Sequence, residues 1–150
     1  TDAKALCAAV KGNVIPREQI PDETFASGVL GDGVGIEPEA GEVLAPFDGE
    51  ISSVTDTRHA VGITGPEGME VLIHVGIDTV NTHGDGFELF VKEGDTVKAG
   101  QKLMTFDTAK IMAAGYSTTT AVLLTNSDDY SEFRVLKTGR TETMEKLFTI

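Results

Sequence analysis

Two histidines, His59 and His74, lie in segments that alternate like β-strands, 56–63 and 70–77. The stretch between them, 64–69, carries Gly65, Pro66 and Gly68, the punctuation of a hairpin turn. A loop at 65–68 sets His59 directly opposite His74, with Cβ atoms about 4.5–5.5 Å apart as in any cross-strand pair. Period-two alternation adds Thr57, Val61, Leu72 and Gly76 to the same face. Two imidazoles beside a hydroxyl make a candidate reactive site.

Imidazole is a competent phosphoryl carrier because its neutral form is a good nucleophile near pH 7. Transfer asks for one free ring nitrogen, a fixed tautomer and donors around the transferred oxygens. The Gly76 carbonyl is placed to accept from Nδ1 of His74, which leaves Nε2 free to attack. Thr57, two residues before His59, is placed to orient the second ring, which then donates to the phosphoryl oxygens. Gly76, lacking a side chain, also lets a partner's backbone approach closely. Two other readings stand beside this one. Histidines on strands are commonly surface or satisfied core residues, and the pair is then inert within a binding module. A zinc centre wants three or four protein ligands, and no Cys-x-x-Cys, His-Glu-x-x-His or carboxylate triad accompanies the pair, so no metal is expected. His83, in the turn-rich loop 81–86, reads as solvated.

The elements that must hold the pair are short. Strand-length runs fall at 13–15, 33–37, 42–45, 48–54, 60–64, 70–74, 86–91, 102–106 and 121–124, with weaker ones at 132–136 and 146–150. Gly, Pro and Asp separate them, which argues for an all-β antiparallel sandwich or barrel. Helix is confined to a turn at 22–26 capped by Asp22 and to 108–113 after Asp107. The run from Gly12 to Ile15 follows an Ala-rich lead-in, as Gly49 to Ile51 follows Ala45 to Asp48. The run from Gly33 to Ile36 likewise echoes Ala60 to Ile63, which suggests a duplicated β motif. Residues 1–8 read as a linker end, and 9–150 as one domain excised from a longer chain.

The 150 residues carry 24 acidic and 12 basic side chains, a net charge of −12, which a nucleic-acid backbone repels. A charged partner is therefore expected to be basic. One cysteine, Cys7, excludes an internal disulfide and fits a reducing compartment. No apolar run approaches the roughly 20 residues of a membrane span, so no direct membrane insertion is expected.

Several stretches, in order, resemble the glucose-type enzyme IIA domain of the bacterial phosphoenolpyruvate-dependent sugar phosphotransferase system. They are Val29 to Ile36, Ala45 to Gly49, Thr57 to Ile63, Val71 to Val80, Gly86-Phe87-Glu88, Gly94-Asp95-x-Val97-x-x-Gly100 and Leu124-Thr125-Asn126, within roughly residues 9–135. The later stretches at 113–116 and 125–130 look closest to IIA domains fused to β-glucoside- or sucrose-type permeases. The resemblance implies a barrel-sandwich hybrid and a cytoplasmic phosphocarrier, tethered to the membrane where it is fused to a permease. HPr would donate to it, and a IIB domain would receive from it. It needs no cofactor beyond a covalent phosphohistidine. By the same resemblance His74 is phosphorylated on Nε2, His59 supports it and Thr57 orients His59. Asp22 and Asp78 meet a basic partner, and an apolar ring of Phe25, Val29, Leu30 and Leu72 surrounds the histidines. Thr24 and Thr55 depart from the family's pattern, standing where larger apolar residues often sit. Residues 93–103 also resemble biotinyl and lipoyl carrier domains, with Lys110 as a candidate attachment point. A helical stretch directly follows Lys110 and no matching second half comes after it, which speaks against that reading.

Overall fold

The computed structural model describes residues 5–150. Its first half runs β1 (Ala5–Cys7), β2 (Gly12–Pro16), α1 (Glu23–Ala26), β3 (Asp32–Pro38), β4 (Glu42–Leu44), β5 (Gly49–Val54), β6 (Ala60–Thr64) and β7 (Glu70–Val75). The second half runs β8 (Phe87–Leu89), β9 (Thr96–Val97), β10 (Lys102–Phe106), α2 (Thr108–Ala113), β11 (Thr120–Leu124), β12 (Arg134–Val135), β13 (Gly139–Thr141) and β14 (Lys146–Thr149). Both helices begin where the sequence places a cap. The Asp22 carboxylate accepts from the Thr24 N–H at 2.9 Å, and Asp107 accepts from Lys110 at 3.0 Å. The all-β antiparallel expectation holds.

An eight-stranded antiparallel sheet in the order β13-β2-β3-β11-β7-β6-β5-β9 faces two three-stranded sheets, β1-β14-β12 and β4-β10-β8. Its order is quasi-symmetric about the β11–β7 pair, and the echoes in the sequence occupy equivalent places, β2 with β5 and β3 with β6. The hydrogen bonds repeat as well. Ala8 exchanges backbone bonds with Met144 and Glu145, as Ala45 does with Gly100 and Gln101. β13 closes on β2 as β9 closes on β5. The second copy is thus interleaved with the first instead of following it, which is why no later half was legible after Lys110. Lys110 itself sits in α2, with its ammonium 2.7 Å from Asp85, and not at a hairpin tip.

Alternation along the strands separates two cores. Val34, Ile36, Val61, Ile63, Val71, Ile73, Val75, Val122 and Leu124 point inward and meet Leu6, Val43, Leu103, Met104, Leu147 and Phe148 in the main core. The outer face of the same sheet carries Leu72, Ala121 and Leu123, over which Ile20, Phe25 and Ile77 form a smaller cluster. β11 is buried on both faces, as its uninterrupted apolar run requires.

The linker expected at 1–8 is corrected within the described residues. Ala5–Cys7 pairs with β14, and Leu6 and Ala8 are fully buried. We expect Leu6→Ala to lower unfolding free energy by about 2–5 kcal/mol, the usual cost of truncating a buried leucine. Urea unfolding measures it, and a loss under about 0.5 kcal/mol, the range of an exposed substitution, would show that β1 is dispensable.

Candidate functional site

His74 stands on the outer face of β7, in a row across four strands that reads Gly35, Ala121, His74, Ala60. The row beside it reads Gly33, Leu123, Leu72, Gly62. Small neighbours leave the imidazole standing clear of the sheet and open a shallow floor for α1. A Cβ on Gly35 would lie 2.8 Å from Ile20 and 3.0 Å from Ile15, so this floor admits no larger residue without repacking. Arg17 holds the α1 segment in place. Its guanidinium donates to the Ala26 carbonyl at 3.1 Å and pairs with Asp32 at 2.8 Å. The Phe25 ring then lies 4.8 Å from the His74 ring.

The register differs from the expected one. His74 pairs with Ala60, not with His59, because the loop spans 65–69 and contains one more residue. Gly65 donates to the Met69 carbonyl, Pro66–Gly68 forms a 3-10 turn with Glu67 in the left-handed region, and the Met69 side chain is buried. The slip sends Val61 into the main core rather than onto the histidine face. His59 and Thr57 precede β6, in a turn where Arg58 adopts φ 63°. The turn nevertheless brings the rings together. His59 and His74 pack edge to face with centroids 4.7 Å apart, and the Val75 N–H donates to the His59 carbonyl at 2.8 Å. His59 is 5% exposed, while His74 is half-buried.

Each ring has a partner on Nδ1. His74 Nδ1 lies 2.9 Å from the Gly76 carbonyl and His59 Nδ1 lies 2.7 Å from the Thr57 hydroxyl, as the spacing predicts for both. A carbonyl only accepts, so Nδ1 of His74 carries the hydrogen and Nε2 keeps its lone pair. Gly76 has φ 81°, and a Cβ there would meet Thr79 at 2.3 Å and the Ser117 carbonyl at 2.9 Å. The space that a partner's backbone was expected to enter is therefore occupied by this chain's own turn. Burial lowers the His74 pKa from its ordinary value, against the Gly76 carbonyl, Asp22 and Asp78, which raise it. Burial, and then the neighbouring His74, push His59 down to about 4. Both rings are neutral at pH 7.

Phe25 is buried at 6% exposure, with its ring against His74. Leu72 is half-buried beside it, Leu30 is exposed, and Val29 is 74% exposed. Asp22 is half-buried as the α1 cap, and Asp78 is exposed at φ 58°. His83 is exposed, as expected. Thr55, whose hydroxyl lies within the His59 turn, is the residue of the site that spacing alone does not single out. Among the described residues no group of three or more His, Cys, Asp or Glu is arranged to hold a metal ion. No helix among them is long and apolar enough to cross a membrane.

A family model described as phosphoenolpyruvate-dependent sugar phosphotransferase system, EIIA 1, matches residues 4–130. The β-glucoside-specific EIIBCA component of Bacillus subtilis (strain 168) is 43% identical over 141 residues, covering 94% of this chain. The chain spans only 23% of that relative's length. The glucose-specific EIIA component of Oceanobacillus iheyensis is also 43% identical, over 132 residues, covering 88% of this chain and 80% of its own. Among solved structures, the glucose permease IIA from Mycoplasma capricolum matches with TM-score 0.90 and 32% identity, covering 96% of this chain and 93% of the other.

The lowered His59 pKa has a thermodynamic consequence. Between pH 6.5 and about 4 the unfolded chain binds a proton that the folded chain refuses, so stability rises with pH across that window. It is fully present above 6.5 and lost as the pH falls through about 4. His74 acts in the same direction. We expect urea-unfolding free energies between pH 4 and 7.5 to fall less steeply on acidification in His59→Gln than in the wild-type protein. Equal slopes would show that His59 titrates normally in the fold.

Proposed function

We infer the role of the site from the family to which this chain belongs, EIIA 1 of the phosphoenolpyruvate-dependent sugar phosphotransferase system. The chain is a phosphotransferase-system component, and its work is to carry a phosphoryl group toward the sugar permease. In our reading His74 Nε2 is the acceptor, the phosphohistidine of HPr is the donor, and a IIB domain is the recipient. The domain works on the cytoplasmic side of the membrane. The observation that carries this reading is the engagement of His74 Nδ1 by the Gly76 carbonyl at 2.9 Å, with His59 packed edge-on beside the ring.

The step balances simply. The lone pair on Nε2 of neutral His74 attacks phosphorus in line, a new N–P bond forms, and the N–P bond to the donor imidazole breaks. His74 keeps its Nδ1 hydrogen on the Gly76 carbonyl throughout. Thr57 is read as a donor to His59 Nδ1, which leaves an N–H on Nε2 of His59 to bond a phosphoryl oxygen. No proton has to leave the site for charge to be spread over these donors. Asp22 and Asp78 flank His74 and attract a basic partner face, while Val29, Leu30 and Leu72 supply apolar surface that excludes water on docking. Transfer onward to a IIB domain is the reverse chemistry on a different nucleophile.

His74→Gln is expected to abolish phosphate acceptance from phosphoenolpyruvate, enzyme I and HPr, read by mass mapping of the acid-labile adduct. His59→Gln should still accept phosphate but pass it on more slowly, by about 10²-fold or more if the ring's donor acts in the transition state. Wild-type onward transfer in that variant would remove His59 from the mechanism. Asp78→Asn should weaken the encounter with HPr more at low than at high ionic strength. An effect indifferent to salt would make Asp78 structural.

A further inference from the structure

In the register of β6 and β7, residue 59 falls opposite Val75, and Val75 faces the main core. A regular strand continued back through 59 would send the His59 side chain to that face, away from His74. The chain avoids this with a compact turn at 55–60. The Thr55 N–H donates to the Ala60 carbonyl at 3.2 Å, and Arg58 N–H donates to the Thr55 carbonyl at 3.0 Å. The Thr55 hydroxyl fills the middle of that turn. It accepts from the His59 N–H at 3.1 Å and from the Ala60 N–H at 3.2 Å.

Both lone pairs of the Thr55 oxygen are then taken, so its hydrogen is left to donate. The acceptors within reach are the Ala60 carbonyl and His59 Nδ1, each at 3.4 Å. Thr57 occupies Nδ1 at the shorter distance of 2.7 Å. Neither backbone donor reaches Thr57, so the two hydroxyls have different tasks: one orients the ring and the other holds the peptide that carries it. Arg58 braces the turn from outside, donating to the Gly84 carbonyl at 3.2 Å and filling the space above Gly84.

We propose that Thr55 is a positioning residue for the histidine pair: its hydroxyl locks the turn that carries His59 out of strand register and onto His74. The proposal rests on the phosphocarrier reading of His74 but concerns the placement of His59, which can be observed separately. Thr55→Val keeps the shape and the β-branch while removing the acceptor, and Thr55→Ser keeps the acceptor.

The test compares the wild-type chain, Thr55→Val and Thr55→Ser by NMR titration of the His59 ring and by onward phosphoryl transfer. In Thr55→Val we expect the His59 titration to move from about 4 toward the ordinary 6.5. We also expect onward transfer to fall by about tenfold or more, with acceptance at His74 reduced less, as a misplaced catalytic group predicts. Thr55→Ser should restore both. A folded Thr55→Val with wild-type titration and transfer overturns the proposal. Should Thr55→Val not fold, amide hydrogen exchange in the wild-type chain decides: the His59 N–H must be protected, and exchange at the open-chain rate overturns it. A wild-type chain that accepts no phosphate sinks the phosphocarrier reading, yet the His59 titration still judges Thr55.

Discussion

Two neutral imidazoles packed edge to face at 4.7 Å are the constraint around which this molecule is arranged. In water each ring would be partly protonated near its ordinary pKa of 6.5, and the fold removes water from His59 and most of it from His74. Desolvation keeps both rings uncharged, and an uncharged ring is the form that can act as a nucleophile. The cost of burying polar rings is offset because each Nδ1 has a partner, the Gly76 carbonyl or the Thr57 hydroxyl. Non-glycine residues at positive φ, Arg58 and Asp78, lie in the turns just before His59 and just after Gly76. Such conformers cost of order 1 kcal/mol each and persist only where surrounding bonds hold them. Two of the five non-glycine residues at positive φ among the described residues thus sit in the turns that frame the pair.

The sheet supplies the platform. Gly35, Ala121 and Ala60 flank His74, and Gly33 and Gly62 lie in the neighbouring row, so the outer face is low around the imidazole. On the inner face the same strands are dense with valine, isoleucine and leucine. One sheet thus has a heavy side that carries stability and a light side that carries the histidine. The two quasi-equivalent halves of the sheet meet at β11 and β7. His74 lies on one of these two central strands and His59 enters just ahead of β6, beside it.

Much of this was legible in the sequence, though not always for the right reason. Asp22 and Asp107 marked both helices, and alternation found most strands. Gly76 and Thr57 were read correctly as partners of the ring nitrogens, since those contacts depend on local spacing alone. The contact between the histidines was also expected, but through two errors that compensate. The loop is one residue longer than its Gly and Pro residues suggest, because Glu67 adopts a left-handed conformation that its side chain does not advertise. His59 was assigned to a strand when it lies in a turn. Register follows from side-chain parity, so one unforeseen residue reverses every face, and Val61 moved to the core for that reason. β1, β9 and β13 were missed because each has only two or three residues and pairs with distant segments.

The pairing of β1 with β14 sets Ala5 directly beside Thr149. The two ends of the described chain therefore leave from one spot, on a sheet separated from the histidines by the whole thickness of the main core. Both ends of the described chain and the histidine pair thus belong to opposite sides of one core, like the handle and the face of a stamp.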